Sequence, residues 1–305
     1  MDTVTHGLTG WLVARALPDD WKGEHRATAT AIVVLGSVLP DADNAASLLG
    51  SEVYLRIHRG LSHSLLGISI SSLFVALLFA RFGKWKDAKR LFLLALIGQV
   101  SHVVLDLLNA YGTQVFQPFS DARLSLDLLF VVDLVRDAAV RSGVPVVTAS
   151  ALPQLPSVPL PSMDRFGFAT PAVAHPARKD LPGNRAPVEK RTVPFPAGPL
   201  FWNGFVDDGR TFLRADVDPL AGTVEWKQRA RRGPDVPEVR AVRGLADVET
   251  YLWFARFPAA SVVSNQGRTE VTFYDMRFSG LPGRGRFLLR VIETPGAPPL
   301  SRWGS

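Results

Sequence analysis

The 305-residue chain contains no cysteine. Disulfides, thiolate metal sites, iron–sulfur clusters and a cysteine nucleophile are thereby excluded. No G-x-x-x-x-G-K-S/T motif and no dinucleotide fingerprint occur, which sets aside a P-loop nucleotidase and a Rossmann enzyme. No internal repeat is visible. The head of the chain carries Asp2 and His6 rather than a basic n-region, so no secretory signal is expected there. Proline is scarce before residue 150 and concentrated after it, whereas every histidine except His175 lies at or before His102. Residues 1–137 are nearly charge-balanced, and the basic excess behind the formal net charge of +6 falls in residues 138–305. Two regions of different chemistry are implied.

What the chain does have is apolar surface. Hydrophobic residues make up 47% and the mean hydropathy is +0.13, which excludes global disorder. Residues 5–17 suit a short amphipathic helix. Residues 27–39 are apolar and uncharged up to Pro40. Residues 64–80 carry no charge, at the lower limit for a membrane span, and residues 91–105 are interrupted only by Gln99, Ser101 and His102. Residues 124–135 form a further apolar segment, containing Asp127 and Asp133. Buried helices of a soluble all-α domain are one reading of these segments. A membrane bundle is the other, favoured by the link at 81–90, where Arg81, Lys84, Lys86, Lys89 and Arg90 face Asp87 alone. Such a short basic link reads as a cytoplasmic loop.

Residues 138–190 read as a Pro-rich linker. From about 191 the pattern turns to short strands (TVEW, YLWFARF, TEVTFYDMRF, RFLLRVIE), rich in β-branched and aromatic residues. The expected architecture is α+β: a helical membrane-associated domain over 1–137, the linker, and a small antiparallel β domain over 191–305.

The polar residues that interrupt the apolar half are His6, Asp41, Asp43, His58, His63, His102, Asp106, Asp127 and Asp133. All are histidine or aspartate. A buried carboxylate needs a partner or a metal, and an ionisable residue inside a span is functional by default. His102 and Asp106 stand four apart, on one helix face. A structural His–Asp hydrogen bond explains that pair equally well. Imidazole with carboxylate suits zinc, with manganese and magnesium also compatible, and a set of this size fits a hydrolytic site of two or three metals. If the 81–90 link joins an antiparallel pair, His58 and His63 meet His102 and Asp106 at the opposite end. Asp41 can join them, and the site then faces outward.

In order along the chain stand Met1-Asp2-x-x-Thr5-His6, Leu39-Pro40-Asp41-x-Asp43, His58-Arg59-Gly60-x-x-His63-Ser64, His102-x-x-x-Asp106, and Tyr111-Gly112-Thr113 followed by Pro118-Phe119-Ser120-Asp121. Over about residues 1–135 this resembles the YdjM-type, LexA-regulated family of bacterial inner-membrane, metal-dependent hydrolases. The resemblance implies an integral inner-membrane protein with a divalent metal, zinc first. A distant likeness of the family to zinc-dependent phospholipase C makes a phosphoester or phospholipid head group the first substrate class. By motif the implied ligands are His6, Asp41, His63, His102 and Asp106, with Asp43, His58, Asp127 and Asp133 as second choices. Asp41 or Asp106 would serve as general base, and Arg59 would contact a phosphate oxygen. Longer members carry further spans after this region. Residues 138–305 here hold no run long enough to span, which implies a reduced membrane part.

In the second half, the aromatic stretches 201–204 and 251–258 read as core of the β domain. The basic run 227–232 reads as a solvated loop or a contact to anionic lipid head groups. Nucleic acid is not an expected partner, since no groove-reading motif is present. His175 has no assigned role. Membrane lipids and a small-molecule or lipid ester are the expected partners of a hydrolase. The alternative is a non-enzymatic membrane protein with a structural metal or His/Asp network and a partner-binding β domain.

Overall fold

A computed structural model of the chain describes residues 3–83, 85–128, 189–195, 198–207, 209, 211–218, 223–233, 236–278 and 288–304. Asp133 and the Pro-rich segment up to residue 188 lie outside the described residues. The described residues fall into two compact units, one up to Leu49 and from Ile57 onward, the other taking Gly50–Arg56 together with the C-terminal strands.

The first unit is helical. Its elements are α1 (Thr3–Ala16), α2 (Asp19–Lys22), α3 (Arg26–Val38), α5 (Leu65–Phe82) and α6 (Ala88–Leu108), with α4 (Ser51–Ile57) intervening in sequence. A 3-10 segment, Leu39–Leu49, follows α3, and a 3-10 turn, Leu61–His63, precedes α5. Ser64 caps α5 by accepting from the Gly67 amide (3.0 Å), and Asp87 caps α6 by accepting from the Arg90 amide (3.1 Å). Among the described residues, three stretches, Asp19–Leu49, Leu65–Phe82 and Ala88–Leu108, are long and apolar enough to cross a membrane. At 1.5 Å per residue, α5 is about 27 Å long, close to the ~30 Å hydrocarbon thickness of a bilayer. Its face bearing Ile70, Leu73, Phe74 and Leu77 is exposed, as a lipid-facing surface would be.

Inside the bundle, Ile32 and Val33 of α3 pack with Leu91, Leu94 and Ala95 of α6. α3 and α6 meet backbone to backbone. A Cβ on Gly98 would lie 2.2 Å from the Val33 carbonyl oxygen, and one on Gly36 would lie 2.5 Å from that of Ala95. Small residues permit such approaches where lipid supplies no hydrophobic drive between helices. Polar glue adds to it between α5 and α6. Ser71 Oγ donates to Gln99 Oε1 (2.7 Å) and Gln99 Nε2 donates to Ser72 Oγ (2.8 Å).

Residues 124–128, expected to open an apolar helical segment, form no helix and run back past the end of α6, with Asp127 in the left-handed region (φ +54°). The chain turns at Gly112 (φ +93°) and runs back, bridging Leu124 to Thr113. The Leu126 and Leu128 amides then donate to the carbonyls of Leu107 and Leu108 (2.7 and 2.8 Å). Those carbonyls end α6 without helical partners, and the returning segment satisfies them.

The second unit holds two four-stranded antiparallel sheets, each a meander in chain order. The first is β1 (Glu189–Phe195), β2 (Gly198–Asp207), β3 (Thr211–Asp218) and β4 (Thr223–Arg231). The second is β5 (Pro258–Asn265), β6 (Arg268–Asp275), β7 (Leu288–Thr294) and β8 (Ala297–Trp303). Between them lie α7 (Pro237–Val242) and α8 (Ala246–Phe254), whose Val239, Val242, Val248 and Tyr251 pack on Val271, Phe273, Leu289 and Val291 of the second sheet. The YLWFARF stretch, read as a strand from its aromatics, is therefore mostly helix. Val248, Tyr251 and Phe254 are buried at threefold spacing, one helical face, and Asp247 and Glu249 stand in the first turn.

Candidate metal centre

The His/Asp residues come from separate elements. His6 lies on α1, Asp41 and Asp43 on the 3-10 segment after α3, and His58, Arg59 and His63 on the approach to α5. His102 and Asp106 occupy the last two turns of α6. The Gly36–Gly98 contact sets the α3–α6 spacing at which the Ser37 carbonyl accepts a hydrogen bond from His102 Nδ1 (2.7 Å). That bond fixes the tautomer, so His102 presents the lone pair of Nε2 to the cluster.

His63 is held in the same sense. Its Nδ1 donates to Ser62 Oγ (2.9 Å), which donates onward to Asp43 Oδ2 (2.5 Å). Its Nε2 stands 3.0 Å from His102 Nε2, 3.4 Å from Asp106 Oδ2 and 3.9 Å from Asp41 Oδ1. His102 Nε2 is itself 3.6 Å from both Asp41 Oδ1 and Asp106 Oδ2. The His6 ring stacks on that of His102 with centroids 3.6 Å apart, and His6 Nε2 lies 3.3 Å from Asp106 Oδ1. Thr3 Oγ1 donates to Asp41 Oδ2 (3.1 Å), which leaves Asp41 Oδ1 buried with no hydrogen-bond partner.

The donors converge into three groups able to hold an ion: His6, Asp41 and His102; His63, His102 and Asp106; and Asp41, Asp43 and His58. Each puts one ligand atom within 4.8 Å of the others. Nitrogen lone pairs facing each other and a bare carboxylate oxygen, all buried, repel unless a proton or a cation lies among them. The donor set, imidazole nitrogen and carboxylate oxygen with no sulfur, matches zinc, manganese and iron rather than a soft ion.

Electrostatics point the same way. Burial holds the His6 imidazole down at about 4, so it is neutral at physiological pH and ready to ligate. His58 is also lowered by burial, against its hydrogen bond to Asp43. At His63 burial acts downward too, but hydrogen bonds to Asp106 and Asp43 outweigh it and raise the group above the ordinary histidine value. A proton on His63 and a cation at the cluster would satisfy the same facing lone pairs. Ion binding displaces the proton.

Asp43 and Arg59 frame this set. His58 Nδ1 donates to Asp43 Oδ1 (2.8 Å), and the Arg59 amide donates to Asp43 Oδ2 (3.2 Å). The Arg59 guanidinium is buried, donating to Asn109 Oδ1 (2.8 Å) and pairing with Asp106 Oδ1 (3.0 Å) over the Tyr111 ring. Its backbone is in the left-handed region, φ +61°. Asp127 is buried and accepts from Ser125 Oγ (2.9 Å), but belongs to none of the three groups. Asn109, Ser62, Thr3 and the Ser37 carbonyl complete the centre without having been singled out from the sequence. Asn109, three residues past Asp106, and Ser62, between two histidines, had a positional signal. A backbone carbonyl has none.

Residues 1–154 match the family described as YdjM inner membrane protein. Over 137 residues the chain is 35% identical to the uncharacterized protein YfhP of Bacillus subtilis (strain 168), a match covering 44% of this chain and 42% of that relative's length. No solved structure matches the chain. With half of its length matched, and with three stretches long and apolar enough to cross a bilayer, the chain is an integral inner-membrane protein of the YdjM family.

Proposed function

We propose that this chain is a membrane-bound, metal-dependent hydrolase acting on a phosphoester or phospholipid-type ester. The observation that carries the reading is the convergence of His63 Nε2, His102 Nε2, Asp41 Oδ1 and Asp106 Oδ2 at the end of the spanning helices, with His6 stacked alongside. These five residues would hold the ion, zinc first. His102 offers Nε2 alone, because Nδ1 is committed to Ser37. Both groups that include His102 draw on that single atom, so only one ion at a time would use it.

A bound divalent cation supplies a water of lowered pKa and polarises a phosphoryl or acyl oxygen. The chain's own residues do the rest. Asp43 and Ser62 hold the His63 ring, and Ser37 holds that of His102. Asp41, anchored at Oδ2 by Thr3, is left to present Oδ1 to the ion. Arg59 fixes Asp106. The basic link after α5 supports a cytoplasmic position for the opposite end of the bundle, and with it a centre that faces outward.

A structural metal in a non-enzymatic membrane protein is the second reading. The complete burial of His6, His63, His102 and Asp106 favours it, since a structural site is closed and a catalytic one keeps an open position. Turnover separates the two. Zinc- or manganese-loaded protein in mixed micelles is expected to hydrolyse bis(p-nitrophenyl) phosphate or a phospholipid, with activity abolished in His63→Ala. Loaded, folded protein inert on both would leave the structural reading.

A further inference from the structure

The depth of the centre carries a statement about where its substrate comes from. At 1.5 Å per residue, His102 and Asp106 lie about 9 and 3 Å along the α6 axis from the end of the span at Leu108. The centre therefore sits at the edge of the hydrocarbon layer, the level where the ester and phosphate linkages of a bilayer lipid reside. A water-soluble substrate would have to enter that layer.

The rim of this end is apolar in the same way. Leu61 belongs to the 3-10 turn that carries His63 and is 52% exposed, and Leu65 opens the α5 span at 57%. The Leu65 amide donates to the Val115 carbonyl (3.0 Å), which brings the loop with Phe116 (46% exposed) and Phe119 (86% exposed) alongside. Four large apolar side chains thus stand open beside the centre, continuous with the lipid-facing surface of α5. A patch of this kind is not left in water. The span that begins at Leu65 puts the bilayer against it.

Resting on the hydrolase reading, we infer that the Leu61–Leu65–Phe116–Phe119 rim is immersed in the outer edge of the bilayer and admits the substrate from it, so that the substrate is a membrane lipid and not a soluble ester. The absence of cysteine makes the immersion directly measurable. Phe119→Cys in the full chain, nitroxide-labelled and reconstituted in phosphatidylethanolamine–phosphatidylglycerol vesicles, is expected to be relaxed more by oxygen than by nickel(II) ethylenediaminediacetate. Its position is expected to be shallower than that of Ile70→Cys on the α5 lipid face. A label freely reached by the nickel complex, or shielded from both reagents by protein, overturns the inference. This readout needs no turnover, so it stands whether or not hydrolysis is found. In the hydrolysis arm, Phe116→Ser with Phe119→Ser is expected to lower cleavage of vesicle phospholipid by about tenfold or more while sparing a soluble diester. Equal effects on both substrates, or cleavage of the soluble diester alone by the wild type, contradict a lipid substrate. A failure on every substrate removes the hydrolase reading instead.

Discussion

At His102 the Ser37 carbonyl accepts the hydrogen bond from Nδ1–H, and that one contact decides which nitrogen faces the carboxylates. His6, whose ring stacks on that of His102 at 3.6 Å, and His63, whose Nε2 stands 3.0 Å from the His102 Nε2, are pulled in opposite directions by burial and by carboxylate partners. Their signs give a pH profile for the metal-free protein. Burial lowers His6 to about 4, so the unfolded chain takes up a proton first as pH falls through about 6.5, and the folded state loses stability between there and 4. His58, also lowered, acts with the same sign. His63 is raised, so its contribution is complete below the unfolded value and is lost as pH climbs through its folded value. Thermal unfolding of metal-free protein is thus expected to show maximal stability near pH 6.5, and His6→Gln is expected to flatten the acid side. A midpoint that rises steadily from pH 6.5 down to 4 contradicts this. The residue types of the centre were legible in the sequence because buried histidine and aspartate have few other uses in an apolar segment. Its orienting contacts were not, since Ser37 acts through its backbone and Asn109 through a tertiary meeting with Arg59.

Among the elements, α3 and α6 carry the geometry. Gly98 leaves no room for a Cβ against the Val33 carbonyl. Gly98→Ala is expected to force the two helices apart, destabilise the bundle by about 1–3 kcal/mol as overpacking does, and stretch the His102–Ser37 bond. A thermal midpoint unchanged from wild type would show that the helices separate freely. The apolar runs announced α3, α5 and α6 because their lengths and lack of charge leave few alternatives. The return at 124–128 was hidden, because its apolar residues match a helix or a strand equally and only the free carbonyls at the end of α6 draw its amides back onto the helix end. α8 was hidden for the converse reason: the aromatics of YLWF favour strands by composition, while their buried spacing is helical. In the second unit, Arg277 is buried, with Nη2 2.6 Å and Nε 2.9 Å from Asp275 Oδ2. Asp275→Ala removes the carboxylate paired with that buried guanidinium, an expected loss of about 3–5 kcal/mol measurable by denaturant unfolding. A loss within a few tenths would mean that water reaches the arginine.

For the whole molecule, a helical inner-membrane part with a His/Asp centre at one end accompanies a β unit of two meanders. This α+β organisation was legible because proline, histidine and charge divide the chain so unevenly. The sharing of one free His102 nitrogen by two candidate groups was not, since sequence spacing counts donors without saying which atoms they share. The account stands or falls on a bound ion. Metal content by mass spectrometry of detergent-purified wild type, compared with the double variant His102→Ala and Asp106→Ala, tests it most directly. The account predicts one equivalent of zinc or manganese per chain in the wild type and none in the variant. Well-folded wild type that holds no metal after reconstitution, or a variant that retains it, would contradict it.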